Sequence, residues 1–124
     1  MTRIYKLNGF ARFQRKERIS DAALRKTIGS VEAGLVDADL GGGLVKQRLA
    51  RAGQGKSGGY RTVIAFQRGD RAVFLYGFAK NERSNIDAEE LDEFRRGFLE
   101  LTAQQIGALI AENELTEVND DEGA

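Results

Sequence analysis

Residues 44–79 read LVKQRLARAGQGKSGGYRTVIAFQRGDRAVFLYGFA, and the alternation within this stretch decides the fold. In 44–50 an extended chain puts Lys46 and Arg48 on one side and Val45, Gln47 and Leu49 on the other, because successive strand residues face opposite ways. Tyr60 to Gln67 and Arg71 to Ala79 are two further β-rich runs, joined by the turn-forming Arg68-Gly69-Asp70. Both runs are apolar at odd and even positions alike, as expected of middle strands covered on both faces. Three such strands in succession pair most simply in sequence order, as an antiparallel sheet.

Working outward, Ile4 to Leu7 reads as a short strand, and the helix-forming segment GFARFQRKERI follows Asn8. Ser20 then stands where an N-cap belongs, with Ile19 and Leu24 spaced as a hydrophobic staple. Leu24, Ile28, Val31 and Leu35 recur at i, i+4, i+7 and i+11, which predicts a second helix over 21–35. Gly41-Gly42-Gly43 marks a break. On the far side of the strands, Asp87-Ala88-Glu89-Glu90 forms a capping-box pattern flanked by Ile86 and Leu91. Leu91, Phe94, Phe98, Leu101 and Ile106 give the C-terminal helix one apolar stripe, and the polar, acidic residues 112–124 are expected to fray. The 124-residue chain suits one domain, placed here at 1–111. Its order β, α, α, β, β, β, α predicts an α+β fold, a small antiparallel sheet packed with two N-terminal helices and a C-terminal helix.

Formal charge sums to zero, but its distribution is polar. From Val45 to Arg83 lie Lys46, Arg48, Arg51, Lys56, Arg61, Arg68, Arg71, Lys80 and Arg83, opposed only by Asp70 and Glu82. From Ser84 onward the balance reverses, and only Arg95 and Arg96 stand among carboxylates. A dense basic stripe on strands presents fixed cations to a polyanion, the electrostatic footprint of nucleic-acid binding. If the three strands pair in order, Lys46, Arg48 and Arg61 converge with Lys56 and Lys80. Like charges on neighbouring strands disfavour folding unless something is gained. A lysine set among arginines is a candidate general base, since neighbouring positive charge disfavours its protonated form, and the arginines suit charge developing on a phosphate.

The chain has no cysteine and no histidine. That removes disulfides, the common zinc sites, and Ser–His–Asp or Cys–His catalysis in their usual forms. Acid–base chemistry would fall to Lys, Arg, Tyr, Asp or Glu, with no cofactor expected. No apolar run reaches membrane-spanning length and no signal-peptide pattern follows Met1, so a cytoplasmic protein without membrane contact is expected. The glycine-rich segment 51–59 contains Gly55-Lys56-Ser57 but leads into a strand rather than a helix, which rejects a nucleotide-hydrolysing P-loop. It remains either a plain hairpin loop or a backbone cradle for phosphate.

The run LGGGLVKQRLARAGQGKSGGYRTVIAFQRGDRAVFLYGFAKNERSNID, residues 40–87, resembles the RelE/ParE-type toxins of bacterial type II toxin–antitoxin systems, and most of all their HigB-like branch. The branch resemblance lies in the glycine-lysine loop before Gly-Gly-x-Arg and in Lys80-Asn81-Glu82, and the likeness extends over about residues 3–100. It implies helices packed on a small antiparallel sheet, and an RNase that cuts mRNA in the ribosomal A site without metal, by attack of the ribose 2′-hydroxyl on the adjacent phosphate. Carried over, the family's strand lysine pair falls on Lys46 and Arg48, and its strand arginine on Arg61. Asn81 replaces an arginine, and Asp87 a tyrosine, that serve catalysis in RelE-like members. Lys80 and Lys56 are then the candidates for the missing cationic roles. The expected catalytic set is Lys46, Arg48, Arg61 and Lys80, with Arg51, Lys56, Arg68, Arg71 and Arg83 contacting RNA or the ribosome.

The function implied is a ribosome-dependent mRNA endoribonuclease causing growth arrest, neutralised by a cognate antitoxin, expected to be a small helix-turn-helix protein. The alternatives are a non-enzymatic ParE-like inhibitor of DNA gyrase, and a degenerate toxin that retains only antitoxin or RNA binding. Lys46, Arg48 and Arg61 together favour the nuclease, since a gyrase inhibitor needs no such set.

Overall fold

A computed structural model describes residues 2–51, 55–67, 69–79, 87–98 and 101–118. The chain runs β1 (Arg3–Leu7), α1 (Asn8–Glu17), α2 (Asp21–Glu32), β2 (Ala38–Gly41), β3 (Leu44–Arg51), β4 (Gly55–Gln67), β5 (Arg71–Ala79), α3 (Ala88–Phe98), α4 (Ala103–Ala111) and β6 (Leu115–Val118). The strands form one sheet in the order β2-β3-β4-β5-β1-β6. Strands β3, β4 and β5 pair antiparallel in sequence order, as their alternation requires. The sheet is mixed rather than purely antiparallel, because β1 lies parallel to β5 with Ile4 opposite Ala72. Among the described residues no helix is long and apolar enough to cross a membrane.

The two-sided apolar pattern of β4 and β5 is answered by a helical layer on each face. On one face Phe10, Leu24, Ile28 and Val31 of α1 and α2 pack with Val45, Leu49, Tyr60, Ile64 and Phe74. Phe10 and Phe74 sit with ring centroids 4.9 Å apart, and Gly77 leaves the space that Phe13 fills. On the other face Leu44, Val63, Ala65, Val73 and Leu75 are covered by Leu91 and Phe94 of α3 and by Ile106 and Leu109 of α4. The Ser20 cap forms as expected, its hydroxyl accepting from the Ala23 amide at 3.1 Å, and Asp87 caps α3 by accepting from the Glu90 amide at 2.9 Å.

Three expectations are corrected. The C-terminal helix is two helices, since Thr102 and Gln105 form a reciprocal capping box that starts α4 afresh. The frayed tail does not begin at 112: Leu115 and Val118 are buried, and β6 pairs antiparallel with β1. Two apolar residues three apart give a short strand little sequence signature, and the rest of the tail, 119–124, lies outside the described residues. Finally, the second helix ends at Glu32 rather than 35, with Leu35 exposed and Gly34 at φ 86° beyond the helix end. The break expected at Gly41-Gly42-Gly43 is a hairpin turn between β2 and β3, with φ of 85°, 62° and 89° that only glycine adopts without strain. Arg95 of α3 closes over this turn, donating to the carbonyls of Leu40 at 2.6 Å and Gly41 at 3.2 Å. A side chain at Gly42 would press on Arg95 as well as strain the backbone, so Gly42→Ala should lower Tm by several degrees in a thermal melt.

Candidate active-site face

The register of the three central strands brings the expected cations together. Arg48 on β3 stands directly across from Arg61 on β4, and Arg61 across from Phe78 on β5. Two pairs further along, the next position on the same face, Lys46 faces Val63, which faces Tyr76. Alternation puts all of these on the face that α3 and α4 partly cover, since Val63 and Leu44 belong to that core. Side chains directly opposite on antiparallel strands have Cβ atoms about 5 Å apart, so two guanidinium stems and a lysine stem share one small area.

Each cation has a different environment. Arg48 is exposed and pairs with Asp37, its Nε 3.3 Å from Oδ2, while its backbone amide donates to the same oxygen at 2.5 Å. Asp37 is held there by Gln47, a buried residue whose side-chain oxygen accepts from the Asp37 amide and whose nitrogen donates to the Leu35 carbonyl. Lys46 is half-buried, and among the described residues it has no carboxylate partner. Arg61 is half-buried, with its Nη1 fully buried and without an acceptor among the described residues. A buried charged donor left unpartnered costs more than the ~1–3 kcal/mol of a neutral one, and a second guanidinium across the strand adds repulsion. A fold gains nothing from either for its own sake; an anion arriving at Arg61 would relieve both.

The aromatic wall beside the cations is Tyr76, whose ring lies 5.8 Å from Phe78 and 6.3 Å from Phe94 by centroid. Asp87, expected to stand where RelE-like members have a tyrosine, is occupied as the helix cap. The sequence reading missed Asp37 and Gln47. A buried polar residue at an apolar strand position was the available sign of Gln47; Asp37 had none, since only the loop geometry brings it to Arg48.

The expected peripheral cations divide. Arg51 lies in β3 and Lys56 in β4, at the end where the two strands pair through Arg51 and Gly55. Arg68, Lys80 and Arg83 lie outside the described residues. Arg71 stands at the opposite end of β5, roughly 20 Å from Phe78 at strand rise, and its Nη2 donates to the carbonyl of Leu101 ahead of α4. The structure therefore does not bring Arg71 to the cationic face. Losing a charged hydrogen bond of this kind costs about 1.5–3 kcal/mol, so Arg71→Ala should lower the urea midpoint, measured by circular dichroism.

A search of curated proteins finds no match. The family model described as the RelE toxin of the RelE / RelB toxin–antitoxin system matches residues 2–118, from β1 through the strand β6 that closes the sheet. With that match over nearly the whole chain, and an α+β fold of the kind the resemblance implied, the chain belongs to the RelE toxin family and is the toxin of a toxin–antitoxin system, with an antitoxin as its partner.

Proposed function

We propose that this toxin is a ribosome-dependent mRNA endoribonuclease of the HigB-like kind. The observation that carries the reading is Arg61, a half-buried arginine whose buried Nη1 has no acceptor among the described residues, set across from Arg48 and two residue pairs from Lys46. In the proposed reaction the ribose 2′-hydroxyl attacks the adjacent phosphorus, the bond to the 5′-oxygen breaks, and a cyclic phosphate and a 5′-hydroxyl result. Lys46 is the candidate to accept the 2′-proton, and Arg61 to stabilise the charge growing on the phosphate oxygens through its paired donors. Arg48 holds the phosphate's other side when it exchanges Asp37 for substrate. Lys80, on the segment after β5, is the candidate donor to the leaving oxygen, and Arg51, Lys56, Arg68 and Arg83 supply attraction to RNA.

Induction without antitoxin should arrest growth and produce cut transcripts only while they are translated. Mapping transcript ends after induction, with and without a block on translation, tests this. Ends that appear equally under the block would remove the ribosome from the mechanism, and DNA damage with intact mRNA would favour a gyrase target. Cleavage should also survive chelation, since side-chain cations carry the phosphate charge. The control is essential, because ribosomes need magnesium; activity lost in EDTA while the ribosomes remain intact would contradict the assignment. The antitoxin is proposed to be a small helix-turn-helix protein, which the neighbouring reading frame would reveal.

A further inference from the structure

The outer face of α1 carries charge that the site above does not use. Arg12, Arg15 and Lys16 lie at i, i+3 and i+4, so they share one exposed stripe, and Arg18 follows at the helix end. The two nearby carboxylates are engaged inward: Glu17 accepts from the Tyr60 hydroxyl at 2.9 Å, and Asp21 accepts from Lys6 at 3.0 Å and Gln14 at 2.7 Å. Among the described residues, nothing pairs with Arg12, Arg15, Lys16 or Arg18. The helix dipole accounts for Arg15 and Lys16 in the last turn, but not for Arg12 a turn earlier.

Arg18 adds a second anomaly. It takes φ 57° at a helix end where glycine is the unstrained choice, so the chain keeps an arginine at a conformational cost. Beside it lies a cleft of about 440 Å³ whose lining includes Arg15, Arg18, Lys6 and Gln14, together with Asp21, whose carboxylate is held by Lys6 and Gln14. Helix α1 covers the sheet face opposite the one that carries Lys46, Arg48 and Arg61.

We infer that this stripe and cleft form a second docking surface, which takes the phosphate backbone of RNA independently of its sequence. Charge without apolar surface is the reason to choose RNA over an acidic protein segment. Protein partners bury an apolar centre, and among the described residues the exposed large apolar side chains are Leu35 and Ile110, neither of them on α1. Arginine forks with no aromatic platform fit phosphates and not bases. The toxin would then grip RNA on one face and cut it on the other. The inference concerns docking alone and stands or falls separately from cleavage.

The test measures binding of the whole chain to a short labelled RNA duplex over a salt series. Arg12→Ala with Arg15→Ala is compared with Arg3→Ala and Arg96→Ala, which remove the same charge elsewhere. Each lost phosphate contact lowers the slope of log K against log salt by about 0.9, so the patch variant should lose nearly two and the control little. Equal losses in both variants, or none in the patch variant, would overturn the surface. So would a patch variant that keeps its RNA slope but loses binding to polyglutamate. Arg18→Gly should hold or raise Tm while weakening RNA binding several-fold. A variant equally stable that binds as the wild type does would remove Arg18 and its cleft from the surface.

Discussion

Replacing Arg61 by lysine should slow single-turnover cleavage on saturated ribosomes by on the order of a hundredfold, the usual loss when one preorganised charge contact is removed. The positive charge is retained, so ribosome affinity should largely persist. What disappears is the planar pair of donors, which an ammonium cannot present to two phosphate oxygens. The position magnifies the effect. Arg61 is half-buried with its Nη1 shielded from water, so the contact acts in a medium that screens it poorly. Rapid-quench cleavage at saturating toxin separates this loss from any change in binding. A lysine variant that cleaves at the wild-type rate would leave Arg61 a docking residue only.

Ending the chain at Ala111 should abolish cooperative folding. The truncation deletes Leu115 and Val118, each nearly fully buried, and strips β1 of its pairing with β6. Burial of such side chains is worth about 1.5–3 kcal/mol apiece, a large part of the ~5–15 kcal/mol that holds a domain of this kind together. A milder version, Leu115→Ala, should cost about 2–5 kcal/mol and move the urea midpoint down without changing the slope of the transition. A truncated chain that unfolds at the wild-type midpoint would contradict the place of β6 in the sheet.

Much of this architecture was legible in the residues. The alternation of Val45, Gln47 and Leu49 against Lys46 and Arg48 placed β3, and the limits of β5 at Arg71 and Ala79 were read correctly because turn residues bound it. Ser20 and Asp87 marked helix starts through cap chemistry that is local by nature. What escaped was non-local. The strand β6 exists because β1 offers it an open edge, and β1 lies parallel to β5 for reasons of crossing connections that no local pattern encodes. Thr102 and Gln105 were a readable exception, a capping box overlooked inside an apolar stripe.

The cationic site divides along the same line. Strand periodicity put Lys46, Arg48 and Arg61 on one face, and the register then paired Arg48 with Arg61. That Arg48 would meet Asp37, or that Arg71 would bind the Leu101 carbonyl, depended on loops and helix packing. A charge run therefore marked which cations could share a strand face, and left the partner of each one to the fold.

The proposed chemistry requires the attacking 2′-hydroxyl, and removing that one oxygen tests it most directly. An mRNA carrying a single 2′-deoxynucleotide immediately 5′ of the mapped cleavage position, assembled on purified ribosomes with the toxin, should remain uncut there. The all-ribose message should be cut to a cyclic phosphate and a 5′-hydroxyl end. Cleavage of the deoxy message at the same bond and rate would contradict 2′-hydroxyl attack, and with it the roles given to Lys46 and Arg61.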